Sequence, residues 1–213
     1  MNIILLIIIA ITGLITFFGL NNLNIHDKYL FNVGAIKNRK EYIRLISAGF
    51  LHADWMHFFF NMLTLFFFGP MVISGYGEIG FLAIYFGSII LGNLFSLYLY
   101  QKQNWYSALG ASGGVSGVLF AAVALDPVRV SVNFIPGFLF GAIYFGYSVY
   151  MMLNPRQHDN IGHAAHLGGA FFGLVYAVAL QPERATENAL FLGIMALPLI
   201  YMAYMVFVKK RIG

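Results

Sequence analysis

Charged residues divide the chain at regular intervals. Stretches without Asp, Glu, Lys or Arg cover 1–26, 55–77, 79–101, 103–125, 130–155, 160–182 and 188–208, each 21 to 26 residues long and dense in Ile, Leu, Phe and Gly. A helix rises about 1.5 Å per residue, so about 20 apolar residues cross a hydrocarbon core of roughly 30 Å. The pattern predicts seven membrane-spanning helices, an all-α polytopic membrane protein. The first stretch lacks a basic start and a small-residue cleavage site, and reads as a retained helix rather than a signal peptide. The fourth begins with polar and aromatic residues, Gln103 to Ser107, and Gly110 breaks it before the run Ser112 to Leu125. Fourteen helical residues reach only about 21 Å, so this helix is expected to start below the membrane surface. Non-helical backbone at that depth survives only where it is buried in protein or lines a wet cavity. An aqueous pocket is expected above Ser112.

Thirty-four residues separate Leu20 from Trp55, and they carry much of the chain's polarity together with Tyr29, Phe31, Tyr42 and Phe50. That mixture predicts a structured segment lying in the membrane interface rather than a free loop. No repeat or linker is visible. The chain reads as one membrane-embedded domain, 1–213, with a core over about 1–182 and an extra C-terminal helix over about 187–208.

Composition excludes a water-soluble fold: 60% of residues are hydrophobic and 9% charged, against about 25% charged in soluble proteins. Cysteine is absent, which removes disulfides, thiolate catalysis and Cys-zinc sites. The net charge of +4 comes from Lys37, Arg39, Lys40, Arg44 and Lys209 to Arg211, all beside helix ends. That placement favours lipid headgroups over nucleic acid as the partner. His52 and His57 are five apart and no His-Glu-x-x-His occurs, so no metal site is expected.

Polar side chains inside the apolar spans are costly and call for a reason. His57 and Asn61 share a face of the second predicted helix, Ser112 and Ser116 a face of the fourth, and His163 and His166 a face of the sixth. His57 is third into its stretch, Asn61 seventh, Ser112 tenth and His166 seventh. Helices two, four and six start from the same side, so these groups fall in one leaflet. The set contains the parts of an acyl-transfer site. His166 could take the proton of Ser112, and the Ser112 N–H, His57 and Asn61 could face a tetrahedral oxyanion. Gly113 and Gly117, and Gly169 and Gly173, would let the two helices approach closely. No acid is placed for a triad; the nearest are Asp54 and Asp159.

At these residues the chain resembles the rhomboid family of intramembrane serine proteases. Gly110-Ala111-Ser112-Gly113 is similar to the family's Gly-x-Ser-Gly motif, and Asp126-Pro127-Val128-Arg129-Val130 to the end of the same helix in a bacterial form. Ala165-His166-Leu167-Gly168-Gly169 resembles the Ala-His-x-x-Gly motif. Phe50 to His57 with Asn61-Met62 resembles the second-helix signature, and Arg44 the basic residue before it. The resemblance covers about residues 40–180. It implies a six-helix rhomboid-like core with one added C-terminal helix. It also implies Ser112 as nucleophile, His166 as general base, and His57, Asn61 and Gly110 around the oxyanion. The implied reaction is hydrolysis of transmembrane protein substrates near small residues, without cofactor or metal, in a bacterial inner membrane.

Three positions depart from the family pattern. Ser116 stands where an aromatic often stacks on the histidine, and Gly114-Val115-Ser116-Gly117 is a second Gly-x-Ser-Gly, which leaves Ser116 open as nucleophile. Ile73 replaces a glutamate that often anchors the first loop. The seventh helix is an addition. Orientation is open too: the family places the site outside, with two Lys or Arg inside and ten outside, whereas the positive-inside rule points the other way. Two rival functions remain, a non-catalytic membrane-protein binder and a small proton-coupled transporter using His57, His163 and His166.

Overall fold

A computed structural model describes residues 2–154 and 162–209. It is a helical bundle with the chain crossing back and forth. Helix α1 (Ile3–Asn21) is capped by Asn2, whose side chain accepts from the Ile4 N–H. Asn22 ends it and caps the short α2 (Leu23–Tyr29). The stretches 55–77 and 79–101 form one element, α5 (Trp55–Leu99), folded at Gly77, where φ is 75° and ψ is 171°. Glycine is the residue that adopts such a backbone without strain. Gly69 comes back against Phe81, so the two limbs run antiparallel. Helix α6 is Ser112–Leu125, the short span the pattern predicts, and α8 is His163–Leu180. The short α9 (Pro182–Glu187) leads to α10 (Ala189–Ala203), whose last turn loosens into a wider coil over Tyr204–Val208.

One span is shorter than its stretch. Residues 130–155 are free of charge, yet α7 starts only at Gly137 and runs to Leu153. A tight hairpin of β3 (Ser131–Val132) and β4 (Ile135–Pro136) takes up the start, with Asn133 and Phe134 at positive φ in its turn. Pro136 lacks the N–H that a helix interior needs, so it sits before the helix rather than inside it.

The 34-residue connection is structured. Arg44, Phe31, Val33, Ile36 and Ala48 are buried, and the segment holds α3 (Val33–Arg39), α4 (Arg44–Ser47) and a 3₁₀ turn, Ala48–Phe50. Strand β1 (Phe31–Asn32) pairs antiparallel with β2 (Ser107–Ala108), which ties the segment to the chain just before α6. The family's glutamate is missing at Ile73, but Arg44 anchors the segment internally. Its Nε donates to Glu41 at 2.6 Å and its Nη1 to the carbonyls of Asp27 and Leu30 at 2.8 and 2.7 Å. Hydrogen bonds from Arg39 and Arg44 hold the Glu41 carboxyl at about 2. Arg44→Met should therefore loosen the segment by about 3 kcal/mol, since it strips a charged donor from three acceptors. Limited proteolysis within residues 22–50 reads this: the variant should be cut faster than the wild type.

The core is a three-way pack of the second limb of α5, α6 and α8. Gly92 approaches the Ala165 carbonyl, and Gly169 and Gly173 approach the backbone of Gly113 and Gly117. The glycine pairs read from the sequence thus face each other across α6 and α8. Helix α10 packs on the outside of α7, with Met195 against Gly141 and Phe191 against Phe138.

Candidate active site

The starts of α5, α6 and α8 gather at one end of the bundle. Ser112 is the first residue of α6, and its Oγ lies 2.5 Å from His166 Nε2 on the first turn of α8. Both residues are half-buried. Helix α6 has no side-chain cap at Ala111, so the N–H groups of its first turn keep no partner within the helix. That is where the helix dipole favours negative charge.

Gly110 makes the sharp entry into α6, with φ at 121°. A Cβ there would meet the His57 ring at 2.6 Å from Cε1 and 2.8 Å from Nε2, with Ser112 Oγ at 3.6 Å. His57 therefore lies over Gly110 beside the serine. Asn61 is placed differently: it is buried, and its Nδ2 donates to the His57 carbonyl at 3.0 Å, so its amide is engaged by its own helix. Asp54 Oδ1 accepts from the His57 N–H at 2.7 Å and caps α5. Asp159 lies outside the described residues. Among the described residues no carboxylate is bonded to His166.

The two serines of α6 have separate partners. Ser116, one turn deeper, has its Oγ 2.7 Å from Tyr144 Oη on α7, and Phe120 packs on the Tyr144 ring at 5.3 Å. His163 stands next to His166, with ring centroids 6.5 Å apart, and Tyr147 edges against His163 at 5.7 Å. Aromatic cover near His166 thus comes from α7 and α8, not from the position four after the serine.

Two residues contribute in roles that the sequence does not assign them. His52 is buried; its Nε2 accepts from the Ala111 N–H at 3.3 Å, and its Nδ1 lies 2.9 Å from Thr16 Oγ1, which donates to the Phe50 carbonyl. Accepting at Nε2 leaves the proton on Nδ1, so the relay fits only neutral His52. Burial, with nearby His57 adding and Asp54 opposing, lowers this imidazole to about 3. Asn93 of the second α5 limb donates to the Leu45 carbonyl at 2.9 Å and lines the small cavity with Ser112, Gly110 and His166. Asn93 could have been found as another polar group inside an apolar span.

A family model described as "Rhomboid domain" matches residues 39–183, nearly the stretch over which the motifs run. "Rhomboid protein 1, mitochondrial" of Saccharomyces cerevisiae is 30% identical over 160 residues, 69% of this chain and 46% of that protein. "Presenilin-associated rhomboid-like protein, mitochondrial" of Homo sapiens is 31% identical over 140 residues, 62% of this chain and 36% of that protein. "Putative rhomboid protease YdcA" of Bacillus subtilis is 29% identical over 145 residues, 68% of this chain and 69% of that protein. The chain thus spans less than half the length of these two mitochondrial relatives.

Proposed function

The chain belongs to the rhomboid family, and from that premise we propose that it is an intramembrane serine endopeptidase working through Ser112 and His166. The observation that carries the reading is the Ser112 Oγ to His166 Nε2 separation of 2.5 Å where α6 and α8 begin. The protein is an integral membrane protein, and its substrates in this reading are the transmembrane segments of other membrane proteins.

In the first half-reaction Ser112 Oγ attacks the scissile carbonyl carbon while its proton passes to His166 Nε2. The oxyanion develops beside the N–H of Ser112 and the His57 ring, with Gly110 leaving room for the carbonyl. Collapse breaks the C–N bond, and His166 returns the proton to the leaving amine. Water then gives its proton to His166 and attacks the ester; the ester bond breaks and Ser112 recovers its hydrogen. Asn61 supports this site through the His57 backbone. The whole chain acts as one domain, and its location in our reading is a bacterial cell membrane, with the Bacillus subtilis alignment as support.

Incubation of the purified chain with a panel of transmembrane peptides, followed by mass spectrometry, tests the function. Cleavage within or beside the apolar segment is expected, together with labelling of Ser112 by a fluorophosphonate. Neither product nor label would sink the reading in favour of the non-catalytic binder.

His52 is a positioning residue in this scheme, because it holds the Ala111 N–H immediately before the nucleophile. His52→Ala should lower kcat about tenfold with little change in KM, since an unpaired buried N–H costs about 1–3 kcal/mol and a tenfold loss is about 1.4 kcal/mol. The pH dependence has a definite sign. An unfolded histidine takes up a proton near pH 6.5, whereas folded His52 resists until about 3. Its contribution is therefore present above about pH 6.5 and falls away as the pH drops through that window. Melting temperatures of the wild type should fall between pH 6.5 and 4 more steeply than those of His52→Ala.

A further inference from the structure

A groove of about 580 Å³ runs between the second limb of α5, α8 and α10, on the opposite side of α8 from Ser112. Phe95, Leu167, Phe171, Ala196, Ala203 and Phe207 are among its walls, and no polar side chain lines it. We propose that this groove holds one acyl chain of an anionic phospholipid, with the phosphate drawn to the basic end of α10. The proposal is independent of whether the Ser112 site hydrolyses peptides.

Size argues for a single flexible chain. A helix with its side chains is about 10 Å across, so less than roughly 8 Å of its length would fill the groove. Helix pairing in membranes also favours small residues at the contact, and these walls are largely Phe, Leu, Ile and Val. Charge argues for the headgroup. At the end nearest the site, Phe207 packs against Tyr98 with centroids 6.4 Å apart. Exposed Lys209 follows two residues later, with its Nζ 5.9 Å from the Tyr204 ring, and exposed Lys102 follows four residues after Tyr98. Lys210 and Arg211 come next in the sequence, and no Asp or Glu occurs in 79–125, 160–182 or 188–213. The described charged residues that flank this end of the groove, Lys102 and Lys209, are both basic. A lipid tail gains little hydrophobic energy on leaving the bilayer for an apolar groove, so the preference must come from the headgroup.

The test uses the full chain in nanodiscs of equimolar phosphatidylglycerol and phosphatidylcholine, released into mild detergent for native mass spectrometry. One phosphatidylglycerol per chain is expected to be retained. Lys209→Gln should reduce its ratio to phosphatidylcholine about fivefold, the equivalent of about 1 kcal/mol per basic residue near a membrane surface. Ala203→Phe, or Ala196→Phe where the first does not fold, should fill the groove and remove the bound lipid. Equal retention of the two lipids by the wild type would overturn the headgroup assignment. Lipid kept by the filled variant, or a chain dimer that the filled variant abolishes, would overturn the groove as its site.

Discussion

Ser112→Ala should stop cleavage of a transmembrane peptide, with the rate falling roughly 10⁴-fold or below detection, while Ser116→Ala should keep most of it. The two serines sit in consecutive Gly-x-Ser-Gly segments on one face of α6, so the motif alone does not separate them. Their partners do. Ser112 Oγ is 2.5 Å from an imidazole nitrogen that can take its proton. Ser116 is buried against Tyr144, whose phenol is a poor base near neutral pH and serves as a hydrogen-bond partner. Removing the nucleophile of a serine hydrolase leaves only what binding and oxyanion donors supply, which is why the loss is expected to be so large. Removing Ser116 costs one buried hydrogen bond, about 1 kcal/mol of stability, and leaves the phenol of Tyr144 seeking a partner. The measurement is the initial rate on one peptide by mass spectrometry, with a thermal melt to show that each variant folds. A Ser116→Ala enzyme as dead as Ser112→Ala, with both melting normally, would mean that the hydroxyl one turn deeper takes part in the chemistry. Loss confined to Ser116→Ala would move the nucleophile to that position.

The spans were legible because the membrane penalises charge severely: twenty charged side chains confined between seven apolar runs leave few ways to place helices. The late start of α6 was legible too, since Gly110 and the polar residues before it cannot continue a buried helix. The hairpin before α7 was not, because residues 130–136 are as free of charge as the helix they precede. There the decision belongs to a local turn and to Pro136, which a count of charges does not see. In the structure Ser112 lies against His166, and His57 lies over Gly110 beside the serine; spacing alone puts Ser112, His166 and His57 in one leaflet. Asn61 shares the face but bonds backward along its own helix, a choice of rotamer that spacing leaves open. The role of His52 lay beyond reach for another reason: its two partners, Thr16 and Ala111, are 36 and 59 residues away, and only the folded bundle brings them to one ring. Arg44 is similar in part: Glu41 is a near neighbour in sequence, but its other two acceptors are backbone carbonyls that carry no signature there.

Gly169→Ala should damage both fold and chemistry, with stability lowered by about 3 kcal/mol and cleavage reduced at least tenfold. A Cβ on Gly169 would lie 2.7 Å from the Gly113 carbonyl carbon and 3.0 Å from its Cα, with the Gly113 oxygen closer still. Those atoms are backbone, so no rotamer change relieves the clash, and α6 and α8 must move apart. Gly113 adjoins Ser112 and Gly169 lies three residues after His166, so the separation acts directly on the Ser112 to His166 distance. A gap of even 1 Å there would break the hydrogen bond through which the proton moves. The same substitution at Gly193, which has open space around its Cβ position, should leave both stability and rate near wild type, or slightly raise stability through helix propensity. Thermal melts and initial rates on the two variants test the argument. A Gly169→Ala chain that melts and cleaves like the wild type would mean that α6 and α8 do not touch backbone to backbone, and that the serine and histidine are held together by something other than their glycine seam.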